Sequence, residues 1–172
     1  MTNTNDKTQG QYFFADETVK LILANVKQKT PILLVGCPSL VVPLINSGHH
    51  RVKLLDIDQR FLSIFPPRMF SLFNMMNGHF FTSDFDSFLV DTKKLVIIAD
   101  PPFGVQIDVL MRTLTQLGGK ATSTKYYVFF PWFHHKRFAS YGLHPSDYRV
   151  TYASHGKMNR NKTVRIFSNK LK

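Results

Sequence analysis

Short apolar runs alternate along the chain with segments whose apolar residues recur at helical spacing. An apolar run of about four to eight residues that stops at glycine, proline or polar residues is typical of a buried strand. We predict strands at residues 32–37, 52–58, 79–82, 95–100, 126–130, 148–154 and 163–168. The last two flank a polar loop at 155–162, which indicates a closing hairpin.

Helical segments occupy several of the gaps between these runs. A helix at 105–117 has an apolar face formed by Val105, Val109, Leu110, Leu114 and Leu117. We expect two more helices, one at 16–26 with Asp16 as its N-cap and one at 38–47 closed by Gly48. Strands that alternate with helices imply an α/β fold whose mainly parallel sheet is covered on both faces. The C-terminal hairpin adds an antiparallel strand.

No internal repeat, low-complexity tract or long linker divides the chain. We therefore expect one domain at 11–172, preceded by a polar, disordered tail at 1–10. No apolar run reaches the roughly 18 to 20 residues that a bilayer crossing needs, and no signal peptide is visible, so no membrane association is expected. Cys37 is the single cysteine. It excludes an internal disulfide and a cysteine-built zinc site, and it fits an intracellular compartment.

Positive charge is concentrated in the last third of the chain. The 172 residues carry a net charge of +11. Residues 120–172 contain eleven Lys and Arg against one acid, whereas residues 1–119 contain eleven against ten. This asymmetry indicates a polyanionic partner, and nucleic acid ranks ahead of a membrane surface. A surface that serves only solubility stays open as the alternative.

Acidic residues and a glycine stand where several predicted strands end. Gly36, Asp56, Asp58, Asp84 and Asp100 occupy these positions. In an open parallel sheet, ligands bind beyond the carboxyl ends of the strands. A purely structural protein has no need for acids at the ends of neighbouring strands, so this edge is the predicted functional site.

The segment Asp100-Pro101-Pro102-Phe103 carries the most specific chemistry. The lone pair of the adenine amine is delocalised into its ring, so an enzyme has to hold this NH2 in a reactive orientation. A carboxylate and a backbone carbonyl can each accept one N–H bond from it. The two prolines stiffen the loop, and the aromatic ring can stack on the base. A capped, proline-terminated turn after a strand is the structural alternative.

The other strand ends offer candidates for a cofactor site. Gly36 permits close backbone approach, although an ordinary strand-to-helix turn explains it equally well. Asp56 is the preferred acid for the ribose hydroxyls of an adenosine cofactor, and Asp58 is the alternative or a helix cap. Asp84 and Phe85 could contact the cofactor adenine, with Asp86 as a competing choice and a plain turn as the other reading.

Aromatic and basic residues follow the fifth predicted strand. Trp132 and Phe133 could flank a base, with Lys136 and Arg137 beside its phosphates. Core aromatics followed by a solvated helix start are the alternative. His134 and His135 have no cysteine or acidic partner nearby, so no metal site is expected. The hairpin loop carries Lys157, Arg160 and Lys162, which suit phosphate contacts or a solvated loop.

Together these motifs resemble those of a known family. The matching segments are QYFF at 11–14 with Asp16, LLDIDQRF at 54–61, FNMMNGHFF at 73–81, DPPFG at 100–104, FFPWF at 129–133, HGK at 155–157 and VRIFSN at 164–169. The chain resembles, from residue 11 to about residue 169, the catalytic domain of the CCHC-type zinc-finger rRNA adenine-N6 methyltransferases. DPPF marks a broad class of amino-methyltransferases, and QYFF with HGK and VRIFSN is much more specific.

The resemblance implies a class I methyltransferase fold, Rossmann-like, with a seven-stranded sheet. It implies Asp100 to Phe103 as the catalytic motif and S-adenosyl-L-methionine as the cofactor. The cofactor site would involve Gln11, Phe13, Gly36, Asp56, Asp84 and Phe85. The implied substrate is the N6 amine of adenine in RNA, in particular rRNA, with action in the nucleus or nucleolus or in the cytoplasm.

The chain lacks the cysteine-rich zinc modules of that family. It is then an excised domain, a short homologue, or a subunit whose protein partner supplies RNA-binding modules. Two other functions stay open. A protein lysine methyltransferase of the elongation-factor type shares the CPS turn at 37–39 and a DPP-aromatic motif, although the basic charge favours RNA. A non-catalytic RNA-binding subunit could retain the same fold.

Overall fold

The computed structural model describes residues 13–82, 85–153 and 163–169. Their centre is a sheet of eight strands: β1 (Ile32–Val35), β2 (Val52–Asp56), β3 (Phe70–Asn74), β4 (His79–Phe80), β5 (Lys94–Ala99), β6 (Ser123–Pro131), β7 (His144–Arg149) and β8 (Val164–Ser168). The helices are α1 (Asp16–Asn25), α2 (Val41–Asn46), α3 (Phe85–Phe88), α4 (Ile107–Gly118) and α5 (His135–Ala139). Three short 3-10 turns lie at Pro38–Leu40, Gln59–Ser63 and Trp132–His134.

The strands follow the order β4-β3-β2-β1-β5-β6-β8-β7. Strands β3, β2, β1, β5 and β6 are parallel, β8 is antiparallel to β6, and β7 is antiparallel to β8. Helices follow β1, β5 and β6, as right-handed crossovers between parallel strands require. This arrangement confirms the expected α/β fold and is that of a class I methyltransferase with one extra short strand.

The third parallel strand was predicted at the wrong place. It is Phe70–Asn74, and the predicted segment 79–82 contains only the two-residue β4, which is antiparallel to β3. Asn77 and Gly78 are the last two residues of the four-residue turn at 75–78, and Gly78 has a positive φ of 70°. An Asn-Gly pair between apolar segments is a hairpin signal, and it explains why the chain reverses before β4.

The sixth predicted strand was also misplaced, since β7 covers His144–Arg149 rather than 148–154. This strand lies at the edge of the sheet, where its outer side pairs with no described strand. A register shift between Pro145 and Arg149 accompanies its mostly exposed side chains. Proline and polar residues are tolerated at an edge, so this strand lacks the apolar pattern of a buried one.

Helix boundaries differ from the expected ones for local reasons. Ala15 occupies the N-cap position of α1, so the predicted cap Asp16 instead lies in the first turn. The segment 38–47 begins as a 3-10 turn before α2. Helix α4 begins at Ile107 after the N-cap Gln106, and Val105 belongs to the preceding turn, where its N–H donates to the Pro102 carbonyl at 3.0 Å.

Two apolar clusters cover the two faces of the sheet. One contains buried residues of α1 and α2, and the other those of α3, α4 and α5. Phe103 packs against both clusters, which locates it at the rim between the layers. None of the helices in the described ranges has the length and apolar character that a bilayer crossing requires.

Candidate active site

Gly36, Asp56 and Asp100 lie side by side at the carboxyl edge of the central strands. Gly36 follows β1, Asp56 ends β2 and Asp100 follows β5. The Gly36 N–H donates to the Leu55 carbonyl at 3.0 Å, and the Asp100 N–H donates to the Val35 carbonyl at 3.1 Å. Because these strands are adjacent and parallel, their ends converge as the sequence led us to expect.

Gly36 occupies a position that only glycine fits. Its φ is +68°, in the left-handed region. A Cβ there would lie 2.9 Å from Met75 Cε and 3.2 Å from the Asp100 carbonyl oxygen. Gly36 therefore lets the chain turn tightly at the end of β1 and pack directly against Met75 and the Asp100 carbonyl, which leaves both the turn and the cofactor interpretations open.

The segment from Asp100 to Phe103 leaves the sheet in a tight turn. The Pro102 carbonyl is occupied by the Val105 N–H at 3.0 Å. Within the described part of the chain, the neighbouring Pro101 carbonyl accepts no hydrogen bond. The turn therefore offers the Pro101 carbonyl and the Asp100 carboxylate as acceptors next to one another.

The Asp100 carboxylate has a partner that the sequence did not suggest. Its Oδ1 accepts a hydrogen bond from the Tyr152 hydroxyl at 3.1 Å. Tyr152 is 4% exposed, and its ring stacks on Phe14 with centroids 5.1 Å apart. Phe14 in turn packs on Phe129 of β6 at 4.5 Å. The turn that begins at Asp100 is thus joined to the segment that precedes α1.

The Phe103 ring is held in place by a contact with Phe130. Its half-buried ring meets Phe130 edge-on, with centroids 5.6 Å apart. Edge-to-face contacts of this kind hold an aromatic ring in one orientation. A ring held at the rim next to Asp100 can stack on a planar ligand, as the motif predicts.

Cys37 is a buried cysteine close to Asp100 and Asp56, and its thiol is unreactive. Its Sγ donates to the carbonyls of Val35 and Ile98 at 3.4 and 3.5 Å. Burial, followed by the negative charges of Asp100 and Asp56, raises the pKa of this thiol well above its ordinary value. The protonated thiol is not a nucleophile, so it is a packing residue beneath the site.

Asp56 is a buried carboxylate with spare acceptor capacity. The backbone N–H of Asp58 donates to its Oδ1 at 3.0 Å. Burial is the main reason that the pKa of Asp56 is raised to about 6. Burial raises the free energy of the charged carboxylate, so a ligand that donates hydrogen bonds to it would stabilise it strongly.

Asp58, the competing candidate, is already engaged. It caps the 3-10 turn Gln59–Ser63 by accepting from the Arg60 N–H at 3.0 Å. It also forms an ion pair with the Arg60 guanidinium at 2.7 Å. This arrangement favours Asp56 over Asp58 as the residue for cofactor hydroxyls.

We expect Asp56→Asn to stabilise the ligand-free protein near pH 8 by roughly 2–3 kcal/mol. The carboxyl pKa rises from 3.8 unfolded to about 6 folded. The folded state therefore binds the extra proton, and wild-type stability falls as pH rises from about 4 to about 6. Urea unfolding across this range should show the variant's advantage shrink as pH is lowered. An advantage that does not change with pH, or one shared by the exposed control Asp147→Asn, would contradict the prediction.

The remaining cofactor candidates are only partly brought to this edge. Phe13 is exposed and precedes the Phe14 contact with Tyr152. Gln11 and Asp84 lie outside the described residues. Phe85 is 4% exposed and stacks on Phe80 with centroids 4.3 Å apart. Its ring belongs to the core, so the expected contact with a cofactor adenine is not supported by its placement.

Asp86, the alternative to Asp84, forms an exposed ion pair with Lys120. Lys120 also lies over the Phe85 ring, with Nζ 5.1 Å from the centroid. These contacts tie α3 to the loop after α4. They give Asp86 a structural partner rather than a position at the end of a parallel strand.

Trp132 and Phe133 are exposed in the turn after β6, at 49% and 57%. Their rings connect to Phe103 through intermediates, since Phe103 meets Phe130, Phe130 meets His134, and His134 meets Phe133. The Trp132 ring stacks on His135 at 6.1 Å. Phe130, His134 and Phe133 therefore form a path of ring contacts from Phe103 to Trp132.

Arg137 does not present an uncompensated charge. It pairs with Asp108 of α4, which also accepts from the Tyr141 hydroxyl at 2.6 Å. The hydrogen bond from Arg137, followed by that from Tyr141, lowers the pKa of Asp108. In the ligand-free protein the Arg137 side chain is exposed and paired with Asp108, so a phosphate would compete with this ion pair, and the expected phosphate contact stays a prediction.

Lys136 is exposed on the same short helix. Lys157, Arg160 and Lys162 lie outside the described residues. Among the described residues there is no group of three or more His, Cys, Asp or Glu that could hold a metal ion. A cavity of about 390 Å³ lies between α1 and strands β6 to β8. It is lined by none of the carboxyl-edge residues Gly36, Asp56 or Asp100.

Comparison with known proteins shows the family to which this chain belongs. The family model described as "Probable N6-adenine methyltransferase" matches residues 5–169. The chain is 29% identical to the human protein named rRNA N(6)-adenosine-methyltransferase ZCCHC4, over 96% of this chain and 39% of that protein. It is 31% identical to the mouse protein of the same name, over 96% of this chain and 38% of the mouse protein.

The bovine protein of that name is 30% identical over 96% of this chain and 39% of its own length. The chain thus spans about two fifths of the length of the curated relatives it matches. A methyltransferase requires a methyl donor, and the carboxyl edge holds the acids and the glycine at which a donor with ribose hydroxyls could bind. The extent of the family match covers the whole described sheet, and the chain belongs to the N6-adenine methyltransferase family.

Proposed function

We propose that the chain transfers a methyl group from S-adenosyl-L-methionine to the N6 amine of adenine in RNA, with ribosomal RNA as the substrate. The observation that carries this proposal is the turn from Asp100 to Phe103, which presents a carboxylate and the Pro101 carbonyl beside Gly36. Family membership supports amine methylation. The names of the curated relatives support rRNA as the substrate class.

The residues at the strand ends fit an adenosine-containing methyl donor. Asp56 supplies a buried acceptor for ribose hydroxyls, and the left-handed φ of +68° at Gly36 turns the backbone tightly beside Asp100. When bound, the donor supplies an electrophilic methyl group on a positively charged sulfur. The protein has little covalent chemistry to perform, so its residues contribute mainly position and electrostatics.

The target amine is held by the Asp100 turn. The carboxylate and the Pro101 carbonyl each accept one N–H, which turns the nitrogen lone pair away from the ring system and towards the methyl group. Phe103, supported by Phe130, stacks on the base. The negative carboxylate also stabilises the positive charge that develops on the nitrogen in the transition state.

RNA is recognised through the basic and aromatic surface after β6. Exposed Trp132 and Phe133 stack on bases, and Lys136 contacts phosphate. We assign Lys157, Arg160 and Lys162 to phosphate contacts as well. A partner protein that supplies further RNA-binding modules, and an intracellular location where rRNA is made or used, are part of this proposal.

The direct test is transfer of labelled methyl from S-adenosyl-L-methionine to total RNA and, in parallel, to total protein. Nucleoside analysis of the RNA should recover the label as N6-methyladenosine. Label in protein alone would favour the lysine methyltransferase function instead. RNA binding with no label in either pool, in the presence of candidate partner proteins, would identify a non-catalytic subunit.

RNA affinity should depend steeply on salt, and the triple variant Lys157→Ala, Arg160→Ala, Lys162→Ala should reduce that dependence. Each phosphate contact to a single strand contributes a slope of about 0.7 log unit per tenfold change in salt. The triple variant should therefore lower the slope by up to about 2 units while S-adenosyl-L-methionine affinity is unchanged. Fluorescence anisotropy with labelled RNA across a salt series measures this slope.

The matched control is the triple variant Lys20→Ala, Lys27→Ala, Lys29→Ala. These three lysines are exposed on and after α1, and their removal changes the net charge by the same amount. The control should keep the wild-type slope. Equal slopes for the two triple variants would show that RNA affinity depends on the net charge of the protein and not on the basic residues of the hairpin loop.

A further inference from the structure

The buried tyrosine behind the catalytic motif has a contact that packing alone does not explain. The Tyr152 hydroxyl donates to Asp100 Oδ1 at 3.1 Å. We propose that Tyr152 is a positioning residue that fixes the orientation of the Asp100 carboxylate for methyl transfer, an inference that rests on the proposed function.

The backbone of Tyr152 is fixed by the segment that precedes α1. Phe14 and Tyr152 form an antiparallel bridge. The Ala15 N–H donates to the Thr151 carbonyl at 2.9 Å, and the Ala153 N–H donates to the Phe13 carbonyl at 2.8 Å. These bonds on both sides of Tyr152 determine the position of its Cα.

A second set of bonds anchors the same bridge to helix α1. The Thr18 hydroxyl donates to the Thr151 carbonyl at 3.1 Å and accepts from the Thr151 N–H at 3.0 Å. Thr18 is fully buried. The bridge is therefore connected to a helix that packs on the sheet, and it does not depend on an exposed loop.

The Tyr152 ring is fixed by stacking. It lies on Phe14 with centroids 5.1 Å apart and an interplanar angle of 25°. Phe14 packs on Phe129 at 4.5 Å, and Phe129 belongs to the strand next to β5, which ends immediately before Asp100. With the backbone and the ring both held, the hydroxyl reaches Asp100 from a rigid support.

Such support matters because an aspartate side chain is free to rotate about two bonds. A carboxylate that has to accept an amine N–H works only in a narrow range of orientations. A hydroxyl that donates to one oxygen selects one rotamer and leaves less reorganisation for the transition state. In this proposal Phe14, within the QYFF segment, supports the Tyr152 ring and does not itself contact Asp100.

The test compares Tyr152→Phe with Tyr127→Phe. Tyr152→Phe removes the hydroxyl and keeps the ring on Phe14. Tyr127 is also buried, and its hydroxyl donates to the Asn25 carbonyl at 3.2 Å, at the C-terminal end of α1. The two variants therefore remove the same group with a similar structural effect.

We expect Tyr152→Phe to lower kcat on RNA about tenfold, the size of one lost hydrogen bond to a charged group. The KM for RNA and the Kd for S-adenosyl-L-methionine should stay within about twofold of wild type, because the lost hydrogen bond acts in the transition state and not in ground-state binding. Tyr127→Phe should retain wild-type kcat. Equal kcat for the two variants, or a loss confined to Kd or KM, would overturn the positioning role.

A spectroscopic readout separates this inference from the proposed function. The carboxyl carbon signal of Asp100, assigned by its loss in Asp100→Asn, should shift in Tyr152→Phe and stay in place in Tyr127→Phe. If the wild type transfers no methyl group to RNA but the signal behaves in this way, the proposed substrate is wrong and the positioning contact stands. If the signal does not move, the positioning role fails whatever the activity.

Discussion

Replacing Asp100 with alanine is expected to lower kcat for methyl transfer at least about a hundredfold, while the Kd for the methyl donor stays within a few-fold. The variant loses the carboxylate that accepts the amine N–H and opposes the developing positive charge. It keeps the Pro101 carbonyl, Gly36 and Asp56, so donor binding has no reason to change. Single-turnover assays together with calorimetric titration of the donor separate the two quantities.

The matched control is Asp147→Ala, which removes one exposed acid from β7 and changes the net charge equally. Its turnover should equal that of the wild type. If Asp100→Ala retained more than about a tenth of wild-type turnover, the loss in barrier would be below about 1.4 kcal/mol. Asp100 would then be a structural residue that ends β5 and receives the Tyr152 hydroxyl.

Replacing Asp56 with alanine is expected to weaken donor binding by about 1.5–3 kcal/mol, roughly a tenfold to hundredfold rise in Kd. The lost interaction is a charge-assisted hydrogen bond in a buried position. In the wild type the charged form predominates only above pH 6, because burial raises the pKa of Asp56 to about 6. Donor affinity of the wild type should therefore fall as pH is lowered through 6, and that of the variant should change less.

Asp58→Ala provides the comparison for this prediction. It removes the cap of the 3-10 turn Gln59–Ser63 and the ion pair with Arg60, so it should cost about 1 kcal/mol of stability. Donor affinity should be close to that of the wild type. A reversed pattern, with affinity lost in Asp58→Ala and kept in Asp56→Ala, would transfer the ribose role to Asp58.

The same substitution site links binding and stability. Asp56→Asn is expected to stabilise the free protein because it removes a buried charge, whereas Asp56→Ala is expected to weaken binding. Residues that bind a ligand often lower the stability of the ligand-free protein. The two measurements together distinguish a functional carboxylate from one that is merely tolerated in the core.

The parallel centre of the sheet was predictable because buried runs of mainly apolar residues mark its strands. Such runs occur in β1, in β5 after Lys94 and in the second half of β6, and β2 carries one that includes the buried Lys53. Strand β3 was missed because the fully buried Ser71 interrupts its apolar run. Strand β7 was misplaced because an edge strand with exposed side chains carries no such signal.

Part of the site was predictable for a topological reason. Residues that follow parallel strands meet at one edge, so Gly36, Asp56 and Asp100 could be grouped without knowledge of their contacts. Tyr152 could not, because its contact depends on a pairing with Phe14 between distant parts of the chain. The Arg137–Asp108 pair spans 29 positions and was likewise hidden, since a count of charges does not say which are neutralised.

The antiparallel return of β8 has a practical consequence for attaching other proteins to this domain. Ser168 pairs with Tyr127, and the Asn169 side chain bonds to Thr124 and Tyr126, at the end of β6 opposite to Asp100. Phe13, in contrast, bonds to Ala153, next to the tyrosine that contacts Asp100. A tag, label or RNA-binding module fused ahead of Phe13 would start close to Asp100 and the proposed active site, whereas one fused after Asn169 would start at the opposite end of β6.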